Sequence, residues 1–259
     1  MATTLPFTSA LVTGASSGIG EAMVELLGAA AIPTVVVARR RERLQELAER
    51  FPTVEVLAAD LTTAKGLAAV VARVGDEARP IDLLVNNAGF GTSGEFYTLD
   101  ADRLNEEVQL NIAALTRLSW AALKVMVPRG RGYVLNVSSV ASFQPAPKLA
   151  VYAATKAYVT SLTESLHEET RGTGVHVTAL CPGLTRTEFQ SVSNTEAYAT
   201  QYPGFLWLEA NDVAAAGLRD VAEGKALSVP GLLYKGLATA SGFTPRGIAR
   251  RLSGLVQRS

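Results

Sequence analysis

T-G-A-S-S-G-I-G, residues 13–20, follows directly on the apolar run A-L-V-T at 10–13 and opens a stretch of helical pattern. Glycine at 14, 18 and 20 permits a tight turn and lets backbone come close to a ligand. The free N–H groups at a helix start then face that turn and attract an anionic group such as a pyrophosphate. The spacing is G-x-x-x-G-x-G, and the missing G-K-[ST] excludes a P-loop. Strand, glycine turn and helix in that order predict that Gly14, Ser16, Ser17, Gly18, Ile19 and Gly20 form the phosphate end of a dinucleotide site. The two serine hydroxyls are extra donors there.

Outward from this turn the chain alternates short β-type runs with longer helical patterns. Strands are expected at 10–13, 34–38, 54–58, 81–86, 133–137 and 176–180, with a last one near 222–229. Helices are expected at 19–30, 41–50, 63–78, 104–127, 149–170 and 211–221. The strands are mostly Val, Ile and Leu without polar alternation, which suits a parallel sheet covered on both faces. The rhythm predicts an α/β chain: one Rossmann-fold domain over 1–259 with a doubly wound parallel sheet of about seven strands. Its core is expected at 8–230. Residues 189–208 carry Phe189, Tyr198, Tyr202, Phe205 and Trp207 beyond a strand end, where open α/β sheets bind ligands. This segment is expected to form much of a substrate wall.

The 259 residues are 48% hydrophobic and 19% charged, enough for a large core. Lys+Arg and Asp+Glu number 24 each, so no net charge favours nucleic acid. One cysteine, Cys181, excludes an internal disulfide, and two histidines, His167 and His176, without H-E-x-x-H predict no metal site. Both histidines are read as structural. Cys181 adjoins Pro182 but lacks a base to make it a nucleophile. No basic, apolar leader and no long apolar run are present, so a cytoplasmic protein without a transmembrane segment is expected. The tail, 231–259, is amphipathic and carries Arg246, Arg250, Arg251 and Arg258. It is read as a helix packed on the body or on a neighbouring subunit, with peripheral lipid contact as the alternative.

The second strand ends V-V-V-A-R-R at 35–40. An NAD site usually places an acidic residue here, on the ribose diol. Ala38 is uncharged, and Arg39 and Arg40 suit a 2′-phosphate through charge-assisted bonds. NADP(H) is therefore expected over NAD(H). Asp60, ending the third strand, is placed to bond adenine.

Tyr152 and Lys156 in V-Y-A-A-T-K lie four residues apart, on one helix face. An ammonium beside a phenol is expected to lower the phenol's pKa from its usual value of about 10. Such a phenol trades a proton with a substrate.

Taken together, T-G-A-S-S-G-I-G (13–20), D-L (60–61), N-N-A-G (86–89), Asn111 in L-N-I-A-A, N-V-S-S (136–139), Y-A-A-T-K (152–156) and P-G-L-T-R-T (182–187) resemble the short-chain dehydrogenase/reductase family in order and spacing. The resemblance covers residues 8–230. It implies Ser139, thirteen residues before Tyr152, as the active serine, and Asn111 as a fourth active residue that fixes a proton-passing water. It also implies that Asn87, Ala88 and Gly89 support the cofactor beside Asp60 and Leu61. Pro182 and Gly183 would flank the nicotinamide, with Thr185 in the same run and Thr187 on the carboxamide. Where the family usually has glycine before the second strand, Ala31 stands here.

The implied reaction is hydride transfer between the nicotinamide of NADPH and a carbonyl carbon. Tyr152 supplies the proton, Ser139 orients the carbonyl, and Lys156 tunes Tyr152 and holds the ribose. Phe143 and Gln144, with Phe189 and Tyr202 opposite, are the expected substrate contacts, and they favour an apolar substrate. Reduction of a ketone or aldehyde is the leading reading. Reduction of a 3-oxoacyl thioester, oxidation of a steroid- or sugar-like alcohol, and a non-enzymatic dinucleotide-binding regulator are the alternatives. The resemblance further implies a homo-oligomer, tetramer or dimer, through the long fourth and fifth helices. Ala113, Ala114, Ala121, Ala153, Ala154 and Ala157 are its expected close-contact residues.

Overall fold

A computed structural model describes residues 5–195 and 202–243. Tyr198 and the tail arginines Arg246, Arg250, Arg251 and Arg258 lie outside them. The strands fall where apolar runs occur: β1 (Ala10–Thr13), β2 (Thr34–Ala38), β3 (Val54–Ala58), β4 (Leu83–Asn86), β5 (Gly132–Val137) and β6 (Val175–Leu180). Two short pairs follow, β7 (Thr185–Arg186) with β8 (Leu208–Glu209), and β9 (Leu227–Ser228) beside β6. The main sheet is parallel throughout and ordered β3-β2-β1-β4-β5-β6-β9. The chain leaves the β3 edge and returns beside β1 as β4. That reversal opens a crevice at the carboxyl ends of β1 and β4.

Successive side chains of a strand point to opposite faces, and here both faces are covered. Val12, Val36, Val85 and Leu135 pack under α1 (Gly18–Ala29), α2 (Arg41–Arg50) and α8 (Ala210–Ala222), through Met23, Leu27, Leu44, Leu47 and Leu218. Leu11, Val35, Leu84, Val134 and Val177 pack under α3 (Ala64–Val74) and α5 (Leu115–Arg129), through Val70, Val74, Leu118, Ala122 and Met126. Each such buried aliphatic side chain stabilises the fold by about 1.5–3 kcal/mol. This double burial is why the strands lack polar alternation. The remaining helices are α4 (Ala101–Val108), α6 (Ala150–Glu169), α7 (Phe189–Val192) and α9 (Leu232–Phe243).

Several element ends differ from the sequence reading. The third helix stops at Val74, not at 78. Gly75 caps it, and Asp76 then accepts from Ala78 N and Arg79 Nε, forming a turn before Pro80. The fourth runs farther, over Ala101–Arg129. Its start is capped by Asp100, which accepts from Asp102 N and Arg103 N, and its end by Gly130 at φ +70°. A π-helical segment, Gln109–Ala114, interrupts it around Asn111. This 29-residue helix is long enough to cross a membrane, and an 18-residue window of it reaches a mean hydropathy of 1.3. Its apolar face is nonetheless a core face, with Leu118, Ala122 and Met126 buried beneath the sheet.

The small residues expected at a subunit interface divide into two sets. Ala114, Ala121 and Ala153 are buried within the chain, which removes them from any outer contact. Ala113, Ala154 and Ala157 are exposed, next to Trp120 and Tyr158 at 50% and 38% exposure. Both histidines serve the framework. His167 Nδ1 meets Val177 O at 2.9 Å, and His176 Nδ1 meets Val221 O at 3.3 Å.

Ala31 sits at φ +55°, the left-handed region that L residues with a Cβ enter at a cost of about 1–2 kcal/mol. Its side chain is exposed, so no packing compensates. We expect Ala31→Gly to raise the unfolding free energy by about 0.5–1 kcal/mol, because relief of strain exceeds the entropy that glycine adds to the unfolded chain. Urea denaturation checks this, and a less stable variant would contradict it.

Candidate active site

The site is built on one cross-tie at the crevice. Thr13 Oγ1 donates to Val85 O (3.2 Å) and accepts from Asn87 N (2.9 Å) and Ala88 N (3.0 Å). Asn87 Nδ2 returns to Thr13 O (3.0 Å) and Gly14 O (3.2 Å). The ends of β1 and β4 are thus locked together. Gly14 and Gly18 adopt φ +64° and +59°. A Cβ on Gly14 would sit 2.7 Å from Asn87 Nδ2, one on Gly18 3.0 Å from Thr187, and one on Gly20 would strike Gly14 O. Glycine is required here by both angle and space. Ser17, the N-cap of α1, makes no side-chain cap, so the first N–H groups of the helix face the cleft.

The cleft beyond encloses about 800 Å³. Its phosphate side is lined by Gly14, Ser16, Ser17, Gly18 and Ile19, and its far end by Arg39, Arg40, Asp60 and Leu61. Asn87, Ala88 and Gly89 form the middle floor, with Pro182, Gly183, Thr185 and Thr187 opposite. Gly20 and Asn111 lie behind this surface.

The two arginines do different work. Arg40 donates to Ser16 O and Oγ at 3.1–3.2 Å and to Glu188 Oε2 at 2.8 Å. Its charge, with that of Arg43, holds the Glu188 carboxyl below the usual range. Among the described residues Arg39 has no hydrogen-bond partner; it lines the cleft with Asp60 as its charged neighbour. Burial opposes ionisation of Asp60, yet bonds from Thr62 and the charge of Arg39 hold its pKa low. Its Oδ1 accepts from Thr62 N (2.9 Å) and Thr62 Oγ1 (2.7 Å).

At the opposite end Ser139, Tyr152 and Lys156 converge. Ser139 Oγ accepts from Ala141 N (3.1 Å) and lies beside the Tyr152 phenol, so Ser139 is the member of the serine pair that faces it. Ser138 is bound elsewhere, to Lys156 O (2.9 Å) and Thr160 Oγ1 (2.7 Å). Lys156 Nζ donates to Val137 O (2.8 Å) and stands 5.7 Å from the Tyr152 ring centre. Asn111 is held at both ends of its amide: Nδ2 donates to Phe90 O (2.8 Å) and Thr155 Oγ1 (3.1 Å), and Oδ1 accepts from Phe90 N (3.2 Å). A Cβ on Gly89 would sit 2.8 Å from Asn111 Oδ1 and 3.5 Å from Lys156 Nζ, so glycine lets these two groups close on the β4 end.

The phenol departs from expectation. Burial pushes Tyr152 up to about 12, although the Ser139 bond works the other way. Lys156 does not lower it. Burial brings the ammonium itself down to about 8, and its proton points to a backbone carbonyl. Desolvation thus outweighs the neighbour effect, and Tyr152 keeps its proton at neutral pH.

The cleft is also lined by Phe143, Gln144, Phe189, Tyr202, Leu206 and Trp207, a mainly apolar set. Phe189 stacks at a tilt on Tyr152, with ring centres 5.4 Å apart. Arg186 pairs with Glu209 (3.2 Å), away from a basic docking role. Cys181 lies wholly buried in a cluster with Ala179, Val229 and Tyr234. Tyr234 is the residue that sequence reasoning missed. Its ring covers Gly183, and its hydroxyl accepts from Leu184 N (3.1 Å) and donates to Leu206 O (2.8 Å). No local motif announces it, because its partners lie 28 to 50 residues away. It also extends the packed body past residue 230, where the tail was expected to begin.

The short chain dehydrogenase family model matches residues 8–197. An uncharacterized oxidoreductase of Staphylococcus epidermidis is 32% identical over 212 residues, spanning 76% of this chain and 92% of that one. A short-chain dehydrogenase of Sphingobium yanoikuyae, solved in complex with NADPH, superposes with a TM-score of 0.81 at 35% identity, over 90% of this chain and 92% of that one. The bulky-bulky ketone specific alcohol dehydrogenase of Comamonas testosteroni gives 0.76 at 33% identity, over 92% of each chain. By sequence, strand order and the arrangement of its cleft, the chain belongs to the short chain dehydrogenase family.

Proposed function

We propose that this chain is an NADPH-dependent reductase of bulky, apolar ketones or aldehydes. The observation that carries the reading is the convergence of Ser139, Tyr152 and Lys156 at one end of a cleft whose other end presents an uncommitted Arg39. The glycine cradle at Gly14 and Gly18, the uncapped start of α1 and the Arg39 guanidinium fit a dinucleotide bearing a 2′-phosphate. Bound there, the nicotinamide supplies the hydride. Asp60 and Leu61 would line the adenine end, and Pro182, Gly183, Thr185 and Thr187 the nicotinamide end.

Ser139 orients the substrate carbonyl and stabilises the developing oxyanion. Tyr152 then donates its phenolic proton to that oxygen. A phenol that stays protonated up to about 12 is an acid at physiological pH, which supports the reducing direction. Lys156, held by Val137 O, stands behind Tyr152 as the next proton donor, and Asn111 fastens the helix turn beside it. The apolar walls at Phe143, Phe189, Leu206 and Trp207 exclude water and select a hydrophobic substrate. The ketone specificity named for the Comamonas testosteroni relative supports the same class. The exposed strip of Ala113, Trp120, Ala154, Ala157 and Tyr158 supports a dimer or tetramer formed across α5 and α6.

NADPH oxidation over a panel of ketones, aldehydes and 3-oxoacyl thioesters tests the reading; activity confined to thioesters would replace it. Tyr152→Phe is expected to lower kcat by at least about 100-fold while NADPH binding, followed by fluorescence, holds within about twofold. Near-normal turnover in that variant would remove Tyr152 as the acid. Arg39→Ala is expected to raise the KM for NADPH about 10- to 100-fold and leave the KM for NADH unchanged. An equal effect on both cofactors would count against a 2′-phosphate contact. Sedimentation of the purified chain should show a dimer or tetramer that Trp120→Glu dissociates.

A further inference from the structure

Glu107 on α4 is completely buried, and among the described residues neither carboxyl oxygen makes a hydrogen bond of good geometry. Thr92, also buried, is close enough to ease the carboxylate's charge, but its hydroxyl too is left without a well-formed bond. A buried carboxyl left unsatisfied is costly, and an apolar side chain would suit the position better. Such groups concentrate where chemistry uses them. Glu107 lies four residues before Asn111 on the same continuous helix, behind the catalytic cluster. Lys156 and Tyr152 face it from α6, and both feel its charge. Arg103 on α4 is the other charged group in reach, lying over the Phe90 ring at 3.8 Å and donating to Val192 O.

Resting on the reductase reading above, we propose that Glu107 is the internal proton store of the site, returning a proton to Lys156 after each reduction. Asn111 is unsuited to this task, since its amide is bonded to Phe90 and Thr155 and does not titrate. In the reducing direction Tyr152 loses its O–H proton to the substrate alkoxide. A Lys156 N–H proton restores the phenol. The Glu107 O–H bond then breaks as an N–H bond re-forms at Lys156 Nζ, the proton crossing on an intervening water, because Nζ donates to Val137 O and not to the carboxyl directly. The carboxylate left behind takes its proton from solvent, so each turnover consumes one proton with the hydride. Glu107 touches neither substrate nor cofactor and acts through Lys156; it is a positioning residue.

Burial raises the Glu107 carboxyl to about 7, against opposing effects of Thr92, Lys156 and Arg103. The group therefore holds its proton below about pH 7 and loses it above. Wild-type kcat for reduction is expected to be level below that pH and to fall through it, while oxidation rises. Glu107→Gln should abolish this inflection and lower kcat about tenfold or more in the acid range, with KM and NADPH affinity changed less than about twofold. Glu107→Asp should restore an inflection. Infrared spectra of the cofactor-free protein give a readout independent of turnover: a protonated carboxyl band below about pH 7 that is absent from Glu107→Gln. A wild-type spectrum lacking that band would overturn the proposal, as would an unchanged pH profile in Glu107→Gln. If Glu107→Gln does not fold, a level wild-type kcat through pH about 7 overturns it equally. Turnover lost in Tyr152→Phe but unaltered in pH profile by Glu107→Gln would defeat this proposal alone. Failure of every carbonyl to oxidise NADPH would defeat the reductase reading, and the infrared band would still decide the protonation of Glu107.

Discussion

The threonine hydroxyl at the end of β1 holds the site together. Thr13 and Asn87 exchange bonds across the reversal of strand order, joining the carboxyl ends of β1 and β4. Two parts of the cleft start from these ends. The glycine turn leaves one of them, and its close passage over Asn87 explains why Gly14 and Gly20 carry no side chain. The Asn87–Gly89 run leaves the other and passes beneath Asn111 and Lys156. The glycine turn and the floor beneath Lys156 are thereby tied together through the Thr13 hydroxyl and the Asn87 amide.

Local pattern carried the fold. Leu11 and Val12, or Val134 and Leu135, feed opposite cores, so their uninterrupted apolarity marks a strand covered on both faces. The glycine turn and the Tyr152–Lys156 spacing are equally local, and both lie in the cleft. What escaped is what depends on distant partners. Nothing near Tyr234 signals that its ring will cover Gly183, and nothing near Arg40 signals that Glu188, 148 residues on, will engage it. The two adjacent arginines look equivalent as text, yet only Arg39 is left without a hydrogen-bond partner. The alanines of α5 and α6 show the same limit, since Ala153 and Ala154 differ only in which way the helix turns them.

Electrostatics is where spacing misled most. A lysine one turn from a tyrosine suggests a stabilised phenolate, and in water it would be so. Inside this fold both groups have lost their hydration, which favours the neutral form of each. The phenol stays an acid and the ammonium becomes a readier proton donor. Burial thus tightens the phenol's hold on its proton and loosens the ammonium's, so that in the proposed reduction Lys156 would readily return a proton to a Tyr152 phenolate.

The small ribbon of β7 and β8 has a wider meaning. It pairs Thr185 with Leu208 and Arg186 with Glu209, fastening both ends of the excursion that carries Phe189 and Trp207. The excursion enters and leaves the body at one point, a few ångströms apart, without contributing a strand to the main sheet. Changes in this excursion leave the main sheet's strands untouched, yet they reach the cleft directly, because Phe189 lies against Tyr152 and Glu188 holds Arg40.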